Sequence, residues 1–112
     1  MVRGQNINTD TITPKLIGTW YLEKQESKDT LTFHSTSIAP KGWGERIEIY
    51  KNGKFVDAYG AKCGNDGKIH NVKGKWTFDF TTSKFTTTVP IDYGSTSYKV
   101  YLITSERLIL IK

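Results

Sequence analysis

One cysteine, two histidines and a scatter of carboxylates are the residues here with chemistry to offer, and their spacing limits what each can do. Cys63 and Asp66 sit in the stretch GAKCGNDGK, His70 follows closely, and His34 is the other imidazole. A structural zinc site wants four N or S ligands at tight spacing. One Cys and two His without a Cys-x-x-Cys pair match that poorly, so the stretch reads as a solvated Gly- and Asn-rich hairpin loop without a metal. Cys63 with His70 also meets the spacing of a nucleophile and its base, yet no orienting partner or oxyanion device accompanies them.

The carboxylates are similarly thin. Glu45 and Glu48 flank Arg46 on a stretch whose apolar side is Ile47 and Ile49, and they read as outward salt-bridging charges. Asp57 depends on a turn. Asn52-Gly53 is the clearest hairpin signal in the chain. A two-residue loop would pair Val56 and Ala58 with the isoleucines and turn Asp57 outward. A three-residue bulged loop would instead put Phe55 and Asp57 on the isoleucine face, since a slip of one residue flips every side chain. Burial of Phe55 favours the bulged form. An inward Asp57 needs a partner such as Tyr59, Arg46, water or a ligand, which makes it the leading polar candidate for a pocket, ahead of Tyr98, Thr87 and Thr77. No acid, base and nucleophile converge, so the expectation is a protein that is not an enzyme and needs no cofactor.

The elements that must position these residues are strands. Fifteen Thr, six Tyr, five Phe and three Trp favour pleated, half-buried surfaces, and no window carries a helical apolar period. Residues 1 to 13 are polar and aperiodic and read as a flexible lead-in. Pro14 to Ile17 suits one helical turn, with Thr13 as N-cap and Pro14 in first position. Eight short strands then follow: Gly18 to Gln25, Thr30 to Ser35, Glu45 to Lys51, Lys54 to Tyr59, Val72 to Phe80, Lys84 to Ile91, Ser97 to Ile103 and Arg107 to Lys112. Alternation aligns Trp20 with Leu22, Leu31 with Phe33, Trp76 with Phe78 and Phe80, and Tyr98 with Val100 and Leu102. Short connections predict antiparallel pairing of sequential neighbours. Closure into an eight-stranded up-and-down barrel then removes the exposed edges. The expectation is one all-β domain over residues 14–112.

Composition bounds the rest. At 112 residues one core is the default. No stretch approaches the roughly 20 apolar residues of a membrane span. MVRGQNINTD at the start carries no apolar secretory region. The expected location is the exterior or cell envelope if a leader has been removed, and the cytoplasm otherwise. A lone Cys63 forms no internal disulfide, which fits a reducing compartment or a barrel that needs no staple. The net charge of +5 raises nucleic acid as a partner. The lysines, among them Lys51, Lys54, Lys73, Lys75, Lys84 and Lys99, are spread along the chain and mostly near turns, so they read as solvated charges.

"LIGTW" at Leu16 to Trp20, "ERIEIYKNGKFVDAYG" at Glu45 to Gly60, "GKWTFD" at Gly74 to Asp79 and "YKVYLITSERLILIK" at Tyr98 to Lys112 together resemble lipocalin-like (calycin-type) small barrel proteins of the Bacteroidetes type. The resemblance implies that Trp20 packs across the barrel floor and that Gly18 lets the backbone pass closely there. It further implies a basic side chain of the last strand over that Trp, for which Arg107 is the nearest candidate, although it stands at the start of the strand. It also implies a pocket for a small apolar molecule, because an eight-stranded barrel is just wide enough for one. "GTWY" opens avidin-type barrels too, but Leu22, Glu23 and Lys24 depart from their first-strand pattern.

Two function classes lead. In the first, a non-enzymatic barrel holds a small hydrophobic or amphipathic ligand among Trp20, Phe33, Ile49, Phe55, Asp57, Trp76, Phe78, Phe85, Val89, Tyr98 and Leu110. Trp43, set between two glycines, then serves as a lid or a partner contact. In the second, fourteen aromatic rings fill the barrel, and its loops engage a protein partner or act as an inhibitor. An OB-like fold binding single-stranded nucleic acid is disfavoured, because eight meander strands are not the five of that fold.

Overall fold

The computed structural model describes residues 12–27, 29–39, 43–60, 69–91 and 94–112. Residues 1 to 11 of the lead-in expected over 1 to 13, and the Cys63 and Asp66 positions, lie outside them. A single helical turn, α1 (Thr13–Leu16), opens the described chain. Its N-cap is Ile12 and no side chain caps it, so Thr13 belongs to the turn itself. Pro in the first turn supplies the preset φ, and that suffices for so short a helix.

Eight strands follow: β1 (Gly18–Ser27), β2 (Thr30–His34), β3 (Glu45–Ile49), β4 (Lys54–Gly60), β5 (Ile69–Asp79), β6 (Lys84–Thr87), β7 (Ser97–Ile103) and β8 (Arg107–Ile111). All pair antiparallel and close into one ring in the order β1-β2-β8-β7-β6-β5-β4-β3, with β1 returning to β3. The ring and the antiparallel pairing match expectation. The up-and-down order does not. β1 lies between β2 and β3, and β2 pairs with β8, so the first hairpin is inserted in reverse. β2 and β3 therefore run in the same direction on either side of β1, and Trp43, from the chain between them, lies on the outer side of β1. Apolar alternation specifies which face a residue takes but not which neighbour its strand meets.

The Asn52-Gly53 hairpin takes the bulged form. Tyr50 N–H donates to the Lys54 carbonyl at 2.9 Å, Gly53 N–H donates to the Tyr50 carbonyl at 3.1 Å, and Gly53 has φ +92°. Asn52 Oδ1 accepts from Lys54 N–H at 3.0 Å and braces the loop. Ile49 then faces Phe55 and Ile47 faces Asp57, placing all four inside. The same alternation brings Glu45 inward opposite Tyr59, where it is buried, so its expected outward position is corrected. Glu48 does face outward, as expected.

Three further alignments change. A register shift between Val100 and Leu102 inserts a residue into β7, so Leu102 turns to solvent and Ile103 packs on the core. Phe80 lies past the end of β5 and is exposed. β6 stops at Thr87, yet Val89 and Ile91 still reach the core. Gly18 has φ +143°, and a Cβ there would meet nothing within 4 Å. Its requirement is therefore the backbone conformation, a region closed to other residues, and not close passage.

Candidate functional site

Inward positions of every strand meet in one cluster. Trp20, Leu31, Phe33, Ile47, Ile49, Phe55, Phe85, Tyr98, Leu108 and Leu110 are buried together, with Leu16 and Ile91 closing the cluster from outside the strands. Trp20 donates its indole N–H to the Leu16 carbonyl at 2.9 Å, which ties α1 to the sheet. Phe85 stands at the middle, its ring 6.2 Å from Phe55 and 6.0 Å from Trp76. Phe33, Ile47, Phe55, Phe85, Leu108 and Leu110 have no accessible surface. Space large enough for a water molecule does not adjoin these six side chains, which pack directly on one another and their neighbours.

The residues expected to line a pocket are thus brought together. Trp20, Phe33, Ile49, Phe55, Asp57, Phe85 and Tyr98 are buried, and Trp76 and Phe78 are partly buried against them. Trp76 also donates its indole N–H to the Tyr50 carbonyl at 2.7 Å. At one end of the ring the inward positions turn polar, with buried Glu45 and Asp57 on neighbouring strands. There Tyr59 stacks on His70, with ring centroids 4.8 Å apart and planes at 18°. His34 lies elsewhere, on the outer face, its Nδ1 3.6 Å from Glu23. Among the described residues no three of His, Cys, Asp and Glu gather as metal ligands.

Trp43 sits on the outside of the sheet. Its ring meets Tyr21 edge-on at 5.7 Å, and the Arg46 guanidinium lies 4.5 Å from its centroid. Arg46 Nε in turn lies 2.9 Å from Glu48 Oε2, and Tyr50 donates its hydroxyl to Glu48 Oε1 at 2.6 Å. That last bond, made to a carboxylate, holds the Tyr50 phenol above its usual value. Tyr21 points away from Trp20 but is still buried. Trp43, from the chain between β2 and β3, supplies the cover.

Arg107 does not reach Trp20. It pairs with His34, which pairs with Tyr21, so all three occupy the face opposite Trp20. Its guanidinium lies 3.8 Å from Glu23 on the rim of a cleft of about 520 Å³, lined also by His34, Leu102 and Thr104.

The lysines are the residues whose arrangement the sequence hid. Lys54 faces Lys75 across β4 and β5, and Lys84 faces Lys99 across β6 and β7. Trp76 N–H donates to the Gly53 carbonyl at 3.0 Å, which makes Lys54 and Lys75 a pair whose own backbones are not bonded to each other. Such pairs hold their side chains closest, and like charges there repel. No salt bridge among the described residues reaches Lys54, Lys73 or Lys75. Lys54 lies 5.3 Å from the Tyr50 ring centroid, and Lys54 and Lys75 line a cleft of about 440 Å³ with Asn52, Gly74 and Trp76. The lysines stand 21 residues apart in sequence, and only strand register joins them.

Among the described residues no helix is long and apolar enough to cross a membrane. Comparison with protein-family models, with curated proteins and with solved structures finds no match to this chain.

Proposed function

We propose that this chain is a non-catalytic binding module, a barrel whose interior serves as its core and whose outer surface engages a protein partner. The observation that carries this reading is the zero accessible surface of Phe33, Phe55 and Phe85 at the centre of the ring. A drug-sized ligand needs roughly 300–1,000 Å³, and the clefts at Lys54 and at Arg107 open on the outside. The Gly-x-Trp opening after a helical turn supports kinship with lipocalin-like barrels. The placement of β1 between β2 and β3 weighs against the sequential strand order of that group.

The test is titration with a fluorescent fatty acid such as 11-(dansylamino)undecanoic acid. No saturable binding is expected. One-to-one uptake that quenches tryptophan emission and is lost in Phe85→Trp would overturn the packed reading. It would instead support the small hydrophobic ligand, which the partial exposure of Trp76 and Phe78 beside the core favours.

A further inference from the structure

Among the described residues, the first half of β5 has a strand neighbour on one side only. β5 pairs with β4 along Ile69 to Lys75, but its pairing with β6 covers only Trp76 to Asp79. Beyond that, Thr88 N–H donates to the Lys75 carbonyl at 2.9 Å, and Lys75 N–H donates to Thr88 Oγ1 at 2.9 Å. The chain then turns inward to deliver Ile91 to the core. Backbone groups alternate direction along a strand. Since Lys75 directs its N–H and C=O toward β6, Lys73, Asn71 and Ile69 direct theirs the same way. Among the described residues no strand meets them there. His70 and Val72 point their groups at β4 instead, opposite Tyr59 and Asp57.

Of the usual protections of a strand edge, this one carries only a lysine, Lys73. It has no proline and no register shift, and Ile69 and Val72 are 48% and 43% exposed. Its polar character is one-signed: Lys73 lies on the edge, Lys75 and Lys54 lie beside it on the same outer face, and no described acid pairs with them. An unpaired edge of this kind is a template for strand addition.

We propose that the β5 edge from Ile69 to Lys73 takes up an extended segment of a partner protein as an added strand. The segment carries Asp or Glu at alternate positions toward Lys73 and Lys75, with β-branched residues between them toward Val72. This deepens the binding-module reading and rests on it. Backbone hydrogen bonds at Ile69, Asn71 and Lys73 provide the pairing, and the lysines select the charge. Alternation is required because successive side chains of the added strand fall on opposite faces.

The probe is a fluorescein-labelled, end-blocked (Glu-Val)4 peptide, read by anisotropy and by amide hydrogen exchange. Saturable binding is expected, with at least tenfold slower exchange at Ile69, Asn71 and Lys73 and little change at His70 and Val72. The (Lys-Val)4 peptide should not bind. Asn71→Pro removes one edge donor while leaving the β4 ladder intact, and it should weaken binding at least tenfold. Lys73→Glu with Lys75→Glu should do the same, with an unchanged thermal midpoint showing that the variant folds. Absence of binding, or binding without protection at the three edge amides, would overturn the proposal. So would concentration-dependent dimerisation that protects those amides without peptide, because the occupant would then be a second copy. None of these outcomes bears on fatty-acid uptake, so the edge can fail while the packed-module reading stands.

Discussion

The outer face of β1 and the outer edge of β5 face the same problem and meet it differently. At β1, outward Tyr21 is covered by Trp43, and Arg46, Glu48 and Tyr50 hold that cover in a chain of paired groups. At β5, the apolar side chains stay exposed, the lysines have no acid paired with them among the described residues, and backbone donors face away from the sheet. The first region spends its charges internally, and the second leaves them available. A surface whose polar groups are already satisfied has little left to give a partner, which is why the difference points to β5 as the working side.

The comparison breaks first at Trp43. Trp43→Ala should destabilise the fold by about 2 kcal/mol, roughly half the cost of truncating a fully buried Trp. Val72→Ala on the bare edge should stay within about 0.5 kcal/mol, as surface changes do. Urea denaturation of both variants measures the contrast, and equal losses would erase it. Gly74→Ala comes next, because it marks where β5 loses its neighbour. A Cβ there would stand 2.5 Å from Thr88 Oγ1 and 3.1 Å from a Val89 methyl. The overpacking should cost about 1–2 kcal/mol in the same assay.

Smaller effects sharpen the contrast in charge. The Tyr50 phenol is held above 10.0, chiefly by its bond to Glu48. A raised phenol pKa means that folding favours the protonated hydroxyl. That stabilisation is whole below pH 10.0 and is lost as pH climbs through the higher folded value. Glu48→Gln should bring the phenol down, seen as an earlier rise in absorbance at 295 nm. Smallest is Asp79, held below 3.8 by the hydroxyl and N–H of Thr81 at 2.6 and 3.0 Å. Its contribution is present above pH 3.8 and fades as pH falls through the lowered folded value. Thr81→Ala should raise the Asp79 midpoint in a carboxyl NMR titration and leave the Trp43 region unmoved.

Much of the ring was legible in the chain, and the failures share a cause. Period-two alternation located eight strands and put Phe55, Phe85 and Tyr98 inside, because burial of one face is a local demand. At Asn52-Gly53 the hairpin was legible but its register was not: burial of Phe55 only favoured the bulged form, and pairing of Ile49 with Phe55 decided it. Glu45 was misassigned although its alternation with Ile47 was in plain view, since its charge argued for solvent. Leu102 was misassigned because one inserted residue reverses a face without any local composition signal. The paired lysines were read as scattered, since sequence distance says nothing about which strands adjoin.

The chain by itself determined the class: short apolar-alternating segments between turn residues commit to antiparallel strands with a single aromatic core. Tertiary structure alone decided that the first hairpin enters between β3 and β8, that Trp43 covers Tyr21, and that β5 runs past β6. The physical reason is that face selection depends on each residue's own burial, whereas neighbour selection depends on contacts between segments far apart in the chain. Those contacts come into being only when the ring closes.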